Sequence, residues 1–473
     1  MANQLIRSLT AALLLAAGTT GAFAQNTGTS AADAPVFQWG GDFRLRFEAY
    51  DNVHTLRNFG AHDRDYFRAR LRLWETTNPL PGLTLFGRIS TEPRYWYDAA
   101  TPTAEGTEWK YVILDSMNAK WVTESSGTPI TVVAGRQDIV LGDGWLVSDG
   151  TPIDGSWTNH FDGLRVTIDA KDMKTKFDVI AFNQQALPGD RVPTLGRDTD
   201  LSGKKYYLQE QDETGLVLYA SNKSLKNTQI DGYFVYKADS AVSSVVTTKG
   251  YNSDIYTVGT KFSGTPAEHW QYSVEGAYQW GRRNDVSGSF TPAANLASHG
   301  SLSRDVSAYG LNAKLTYLFK DKYSNQISLI TECLSGDKRG STGKDEMFDV
   351  LWGRTPRISE VWAVAQGQET GRNSQYNNLF RLGASWGIVP MKDMSVTATY
   401  NALFALEDSP TRTTSTLYSR DSNFRGHLFQ AVVKQKFTKT LSGLVLAEYC
   451  PMGDFYTHHD SMTFLRVELV QAF

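Results

Sequence analysis

Polar and apolar residues alternate with a period of two along most of this chain. Phe43, Leu45, Phe47 and Ala49 interleave with Asp42, Arg44, Arg46 and Glu48. Phe67, Ala69, Leu71 and Leu73 interleave with Arg68, Arg70 and Arg72. The pattern recurs at Tyr272, Val274, Gly276, Tyr278 and Trp280 against Gln271, Ser273, Glu275 and Gln279, and again at Val396, Ala398, Tyr400 and Ala402 against Thr397, Thr399 and Asn401. Each stretch predicts a strand with one apolar and one polar face. Stretches of helical period are not evident.

The connectors between these strands come in two kinds that alternate. Eight are short and rich in Gly, Pro, Asn, Asp and Lys, among them residues 78–82, 320–324 and 438–440. Nine are long and polar, among them residues 52–62, 93–108, 138–160 and 336–375. Short turns on one side and long loops on the other are the mark of an outer-membrane barrel, and the connector count implies about 18 antiparallel strands. The predicted fold is therefore an all-β transmembrane barrel with both chain termini on the short-turn side. Leu465, Val467, Leu469 and Phe473 share one face of the last strand, and Phe473 is the final residue. A terminal aromatic on such a strand resembles the assembly signal of outer-membrane barrels.

The N-terminus supplies the compartment. A basic start, a short apolar run from Ser8 to Gly18 and the sequence Ala22-Phe23-Ala24 predict a secretory signal peptide over residues 1–24. Residues 25–37 read as a short periplasmic segment and 38–473 as the barrel. No run of 18 apolar residues follows, so no helical membrane span is expected. The formal net charge is −3, which argues against nucleic acid as a partner. The expected partners are the outer-membrane bilayer and small anions or acidic saccharides, and no cofactor is expected. Cys333 and Cys450, the two cysteines, read either as a pair formed in an oxidising compartment or as two small strand residues.

Energetics decides which face of the strands meets lipid. An Arg or Lys facing lipid at the midplane costs about 2–4 kcal/mol. Arg68, Arg70 and Arg72 on one strand must then face the lumen or a rim, and Arg44, Arg46 and Glu48 follow the same rule. Arg88, Lys120, Arg136, Arg165, Lys434 and Arg466 hold polar-phase positions on other strands, with Glu92, Glu275, Glu332, Glu448 and Glu468 as acidic counterparts. Such a lumen is wet and locally positive, and rings of Arg and Lys are how anion-selective pores are built. The competing role for each of these residues is bracing of the wall by ion pairs.

The first two strands, Phe43-Arg44-Leu45-Arg46-Phe47-Glu48 and Arg68-Ala69-Arg70-Leu71-Arg72, resemble the alginate-export family of outer-membrane barrels. Gly135-Arg136-Gln137, Leu141-Gly142-Asp143, Trp157 and Phe161-Asp162-Gly163-Leu164-Arg165 are also similar to it. The resemblance is strongest over roughly the first 170 residues. It implies an 18-stranded barrel whose arginine-lined constriction passes an anionic polyuronate. It also implies that Arg44, Arg46, Arg68, Arg70, Arg72, Arg136 and Arg165 line the pore.

Other motifs carry no chemistry. Gly142-Asp143-Gly144 opens no helix, so it is no phosphate loop. His458 and His459 are adjacent and read as solvated loop residues rather than metal ligands. Asp212 and Glu213 lack a third catalytic partner. Two functions of different kinds remain. One is a passive channel for anionic solutes, and the other is an enzyme or adhesin acting through the long loops. Charge concentrated within strands favours the channel. Residues 336–375 or 138–160 are expected to fold inward and narrow the external mouth, so that removing either raises conductance.

Overall fold

The structure, a computed structural model, describes residues 37–60, 62–98, 106–109, 111–148, 160–186, 191–196, 211–243, 248–249, 252–284, 303–338, 343–370, 372–407 and 416–473. The predicted signal peptide and most of the segment before the barrel lie outside the described residues, as does Trp157. The strands are β1 (Phe37–Asp51), β2 (Arg64–Leu80), β3 (Leu83–Thr91), β4 (Tyr111–Ser125), β5 (Thr128–Gln137) and β6 (Phe161–Ala170). Next come β7 (Thr175–Gln184), β8 (Asp212–Asn222), β9 (Thr228–Ser240), β10 (Asn252–Ala267), β11 (Trp270–Asn284) and β12 (Ser303–Leu318). The last six are β13 (Gln326–Leu334), β14 (Leu379–Ile388), β15 (Met394–Phe404), β16 (Phe424–Lys436), β17 (Leu441–Cys450) and β18 (Met462–Ala472).

Each strand pairs antiparallel with the next, and β18 pairs with β1, so the 18 strands close into a barrel without an edge. Gly41 and Phe473 exchange two backbone hydrogen bonds of 3.0 Å at the seam. A Cβ on Gly41 would fall 2.4 Å from the Phe473 ring, so only glycine leaves room for the terminal aromatic. β1 starts, and β18 ends, on the short-turn side, which places both ends of the barrel there as predicted.

Burial follows the alternation. Phe43, Leu45, Phe67, Leu71 and Leu73 are exposed, whereas Asp42, Arg44, Arg46, Glu48, Arg68 and Arg70 are buried. In a soluble protein this order would be inverted. It fits a barrel whose outer face meets lipid. Aromatic contacts ring that face at two levels. Trp270 packs on Tyr317 near the short turns, and Trp280 packs on Tyr256 near the long loops. The ten residues between the two tryptophans, at about 3.3 Å each and tilted about 40°, span about 25 Å, the height of an outer-membrane apolar band.

One element departs from the expected pattern. The connector between β13 and β14 holds a helix, α1 (Glu360–Thr370), the one α-helix among the described residues. Its Val361, Trp362, Ala363, Val364, Ala365, Gln366 and Gly367 are all buried. A helix buried over most of its surface, here with only Gln368 exposed, has no polar stripe, so its sequence shows no helical period. No described helix is long and apolar enough to cross a membrane.

Candidate functional site

The long connectors determine how the lumen is filled. Residues of the β13–β14 connector and of the 138–148 stretch pack into one apolar cluster inside the barrel, with Trp145, Leu146, Phe348, Trp352 and Trp362 at its centre. The two segments join through Trp352 N, which donates to Leu146 O at 2.9 Å. Glycine on the wall makes space, since a Cβ at Gly310 would lie 2.7 Å from the Phe348 ring. The described parts of both segments, residues 138–148 and most of 336–375, therefore fold inward as a plug, whereas residues 149–159 lie outside the described residues.

The plug is tied to the wall by polar side chains on several strands. Arg283 on β11 donates to Asp345 at 2.8 Å and to Asp349 at 2.7 Å. Gln279 bonds both the carbonyl and the amide of Asp349. Trp352 Nε1 reaches Glu213 on β8 at 2.8 Å. On the far side, Glu448 of β17 accepts from Ser359 Oγ at 2.6 Å and from the backbone N–H groups of Glu360 and Val361. A carboxylate there satisfies donors that the first turn of α1 cannot pair internally, and it complements the helix dipole. Arg425 on β16 pairs with Glu369 at the other end of α1.

The arginines of β1 and β2 meet on one wall, because register places Arg44 opposite Arg70 and Arg46 opposite Arg68. Closure brings β18 beside them, with Glu468 opposite Arg46 and Arg466 opposite Glu48. Glu92 follows β3, and Arg94 stands opposite Arg68. Asp42 holds Arg70 at 3.0 Å and Arg72 at 2.5 Å. Glu48 holds Arg68 at 3.0 Å, Arg46 at 3.3 Å and Arg466. Glu92 holds Arg44, Arg68 and Arg94 at 3.0, 2.8 and 3.4 Å. Glu468 lies 2.5 Å from Arg46, and Glu360 of α1 lies 2.8 Å from Arg466.

Among the described residues, this sector thus sets seven arginines against five carboxylates. At five N–H donors per guanidinium and about four acceptor sites per carboxylate, about 35 donors face about 20 acceptor sites. The acids brace the wall, and among the described residues of this sector the arginines outnumber them by two. Arg68, Arg72 and Arg94 keep side-chain exposures of 11, 18 and 22 %, so the excess reaches channel water.

The remaining predicted residues are scattered. Arg88 on β3 is gripped by Asp115 at 2.8 Å and Asp138 at 2.9 Å. Arg165 on β6 faces inward and pairs with Asp178 at 2.8 Å. Arg136 differs. It stands opposite outward-facing Met117, after Gly135 at φ 115°, and pairs with Asp162 at 2.7 Å. The register runs unbroken through this glycine, so Arg136 shares the outward phase of Ile130, Val132 and Ala134, and its expected place on the polar, lumen-facing phase is corrected. Lys120 and Lys434 hold inward-phase positions nearer the short turns, and both are exposed. Glu332 on β13 is buried beneath the plug.

Residues that the alternation did not single out matter as much. Glu360, Asp345, Asp349 and Arg357 lie in a connector, where period two gives no signal. Cys333 and Cys450 are free and sit on β13 and β17. Asp51, His62 and Asp63 group their donor atoms within 4.8 Å at the loop end of β1. His62 Nδ1 lies 3.0 and 2.9 Å from the two carboxylates, the geometry of a hydrogen-bonded pair rather than of ligands around an ion.

Comparison with known proteins agrees with this geometry. A model of the family described as alginate export matches residues 36–468, so the likeness extends well beyond the first 170 residues. None of the curated proteins matches the sequence. Among solved structures, the chain resembles OccAB1 of Acinetobacter baumannii at a TM-score of 0.56 and 13% identity, covering 96% of this chain and 99% of that one. A BenF-like porin from Pseudomonas fluorescens Pf-5 gives 0.55 and 10%, covering 92% and 98%. OprD of Pseudomonas aeruginosa gives 0.50 and 11%, covering 95% and 99%. At these identities the structural likeness speaks for the shared barrel fold.

Proposed function

The chain belongs to the alginate export family of outer-membrane barrels, and from that premise we propose that it is a passive channel for anionic solutes, with acidic saccharides such as polyuronates as the substrate class. The observation that carries this reading is the surplus of arginine over carboxylate on β1, β2 and β18. Guanidinium stays charged at every relevant pH and grips a carboxylate through two parallel hydrogen bonds. In a narrow lumen that attraction is screened less than on an open surface. Several spaced arginines, each already shared with an acid, hold an anion weakly enough to let it pass from one to the next.

The work of the protein is attraction and positioning rather than chemistry. Two long connectors, through Trp145, Leu146, Phe348, Trp352 and Trp362, place their large side chains in the plug inside the barrel, which favours a channel with a narrowed mouth over an adhesin with outward loops. Liposome swelling tests the reading. Proteoliposomes should swell faster in galacturonate than in glucose, although the two sugars are similar in size. Equal rates, or faster entry of glucose, would refute it.

A further inference from the structure

Five strands round the wall from β1, a second basic group lies against the plug. Arg381 of β14 and Arg357 of the β13–β14 connector both donate to Glu332 Oε2, at 3.3 and 3.1 Å. Trp145 Nε1 donates to Oε1 of the same carboxylate at 3.1 Å. One fully buried carboxylate therefore serves two guanidinium groups and an indole, and the group keeps one net positive charge. The acceptors are used up before the donors are. Arg357 Nε, Arg381 Nε and Asn401 Nδ2 are buried with no hydrogen-bond partner. Asn401 is wholly buried on β15, opposite Gly383, and its Oδ1 lies 3.5 Å from Arg381 Nη1. A Cβ at residue 383 would fall 2.3 Å from that oxygen, so the glycine lets the amide lie beside the arginine.

Bracing explains only part of this group. Trp145 and Arg357 belong to the plug, and their bonds to Glu332 tie it down. Arg381 stands on the strand beside Glu332 and ties no loop to anything. What it adds is a second cation next to the first, both sharing one acid. Side-chain exposures of 16 % for Arg357 and 11 % for Arg381 leave an edge of each facing the channel. An incoming oxyanion would relieve the repulsion between them and accept from donors that lack a partner.

We propose that Arg357, Arg381 and Asn401 form a second anion subsite, which holds one acidic group of a multiply charged solute such as an oligouronate. The proposal rests on the anion-channel reading and sharpens its substrate class. A solute with several carboxylates, long enough to bridge the strands between them, would touch this subsite and the arginine sector of β1, β2 and β18 together, whereas a monoanion touches one at a time. Linked contacts multiply affinity without any new chemistry.

Block of the potassium chloride current in planar bilayers tests it, with trigalacturonate and monogalacturonate as probes. Arg381→Gln leaves Arg357 and Trp145 holding Glu332, so the barrel should insert with its plug in place, and the loss of one channel-facing cation should move the reversal potential slightly toward potassium. Block by trigalacturonate should weaken about tenfold, the worth of one charge-assisted hydrogen-bonded contact. Block by monogalacturonate should change far less. Should Arg381→Gln fail to insert as a barrel, Asn401→Leu removes a donor from the same subsite and should weaken the trimer in the same direction. Trimer block equal to wild type in a folded variant overturns the subsite. A wild-type channel that prefers cations overturns the anion-channel reading itself, and the reversal potential reports that separately.

Discussion

Two walls of this barrel use the same charged residue types to different ends. On β18, β1 and β2, arginines pair mainly with acids of the same wall and of the neighbouring strand ends. On β8 to β11, the charged and polar groups reach off the wall: Arg283 to Asp345 and Asp349, Gln279 to Asp349, and Glu213 to Trp352. The second wall is a socket that anchors a folded connector. The first wall is laced mainly to itself, and among the described residues its arginines outnumber their carboxylate partners. Orientation of a lumen charge therefore does not settle its role. What matters is whether its partner is a loop that must be held or an acid that is outnumbered.

The largest effect expected from this contrast is on the socket. Arg283→Ala leaves Asp349 and Asp345 buried beside fewer cations, and breaking a buried ion pair by removing one member costs about 3–5 kcal/mol. The plug should detach at that edge, and single-channel conductance should rise with added gating noise. A quiet channel of wild-type conductance would show that the apolar cluster alone holds the plug. Arg72→Ser on the other wall should leave conductance noise unchanged, because Arg72 touches no plug residue in its pair with Asp42.

A smaller effect is expected at the far anchor. Glu448→Gln keeps the shape of the side chain that receives Ser359 and the first N–H groups of α1, but removes its charge. The loss is about 1–3 kcal/mol, the difference between a charged and a neutral acceptor plus the helix-dipole contribution. Brief opening events should become more frequent in single-channel records while the mean conductance stays near wild type. Records indistinguishable from wild type would mean that the α1 end of the plug needs no anchor.

The distance between what the sequence reveals and what it hides follows the same division. Strand number, alternation and the inward face of Arg44, Arg46, Arg68, Arg70 and Arg72 are legible because each is a local regularity. The partners are not legible. Glu468 lies more than four hundred positions from Arg46 in the chain and meets it only because β18 closes on β1. Glu360 meets Arg466 only because a connector folds inward. Counting acids on the two adjacent strands therefore overstates the positive charge of the sector. Arg136 shows the converse, since its charge suggests the lumen while its place in the phase of Ile130, Val132 and Ala134 puts it on the outward side. The helix α1 stays hidden because burial of nearly all its residues removes its polar stripe.

The smallest predicted effect is on pH. Burial alone would raise the Asp349 carboxyl, but Lys237 and Arg283 outweigh it and hold it below the usual carboxylate value. A lowered folded value means that the anchor is fully present above the unfolded carboxylate range, about pH 4, and is lost as pH falls through the lower folded value. Conductance should therefore stay constant on acidification from neutral pH to about 4 and rise only below that, at the carboxylate end of the scale. A transition near pH 6 would assign the anchor to another group.

The central claim is that arginine exceeds carboxylate where the solute passes, and the reversal potential under a potassium chloride gradient measures it directly. Removing arginines alone would strand a buried acid, so the informative variant is Asp42→Asn with Arg70→Ser and Arg72→Ser, which removes the two arginines together with the acid they share. Wild type should prefer chloride, and the variant, folded and of similar conductance, should shift toward potassium. A wild-type channel that prefers potassium, or a folded variant with an unmoved reversal potential, would contradict the account.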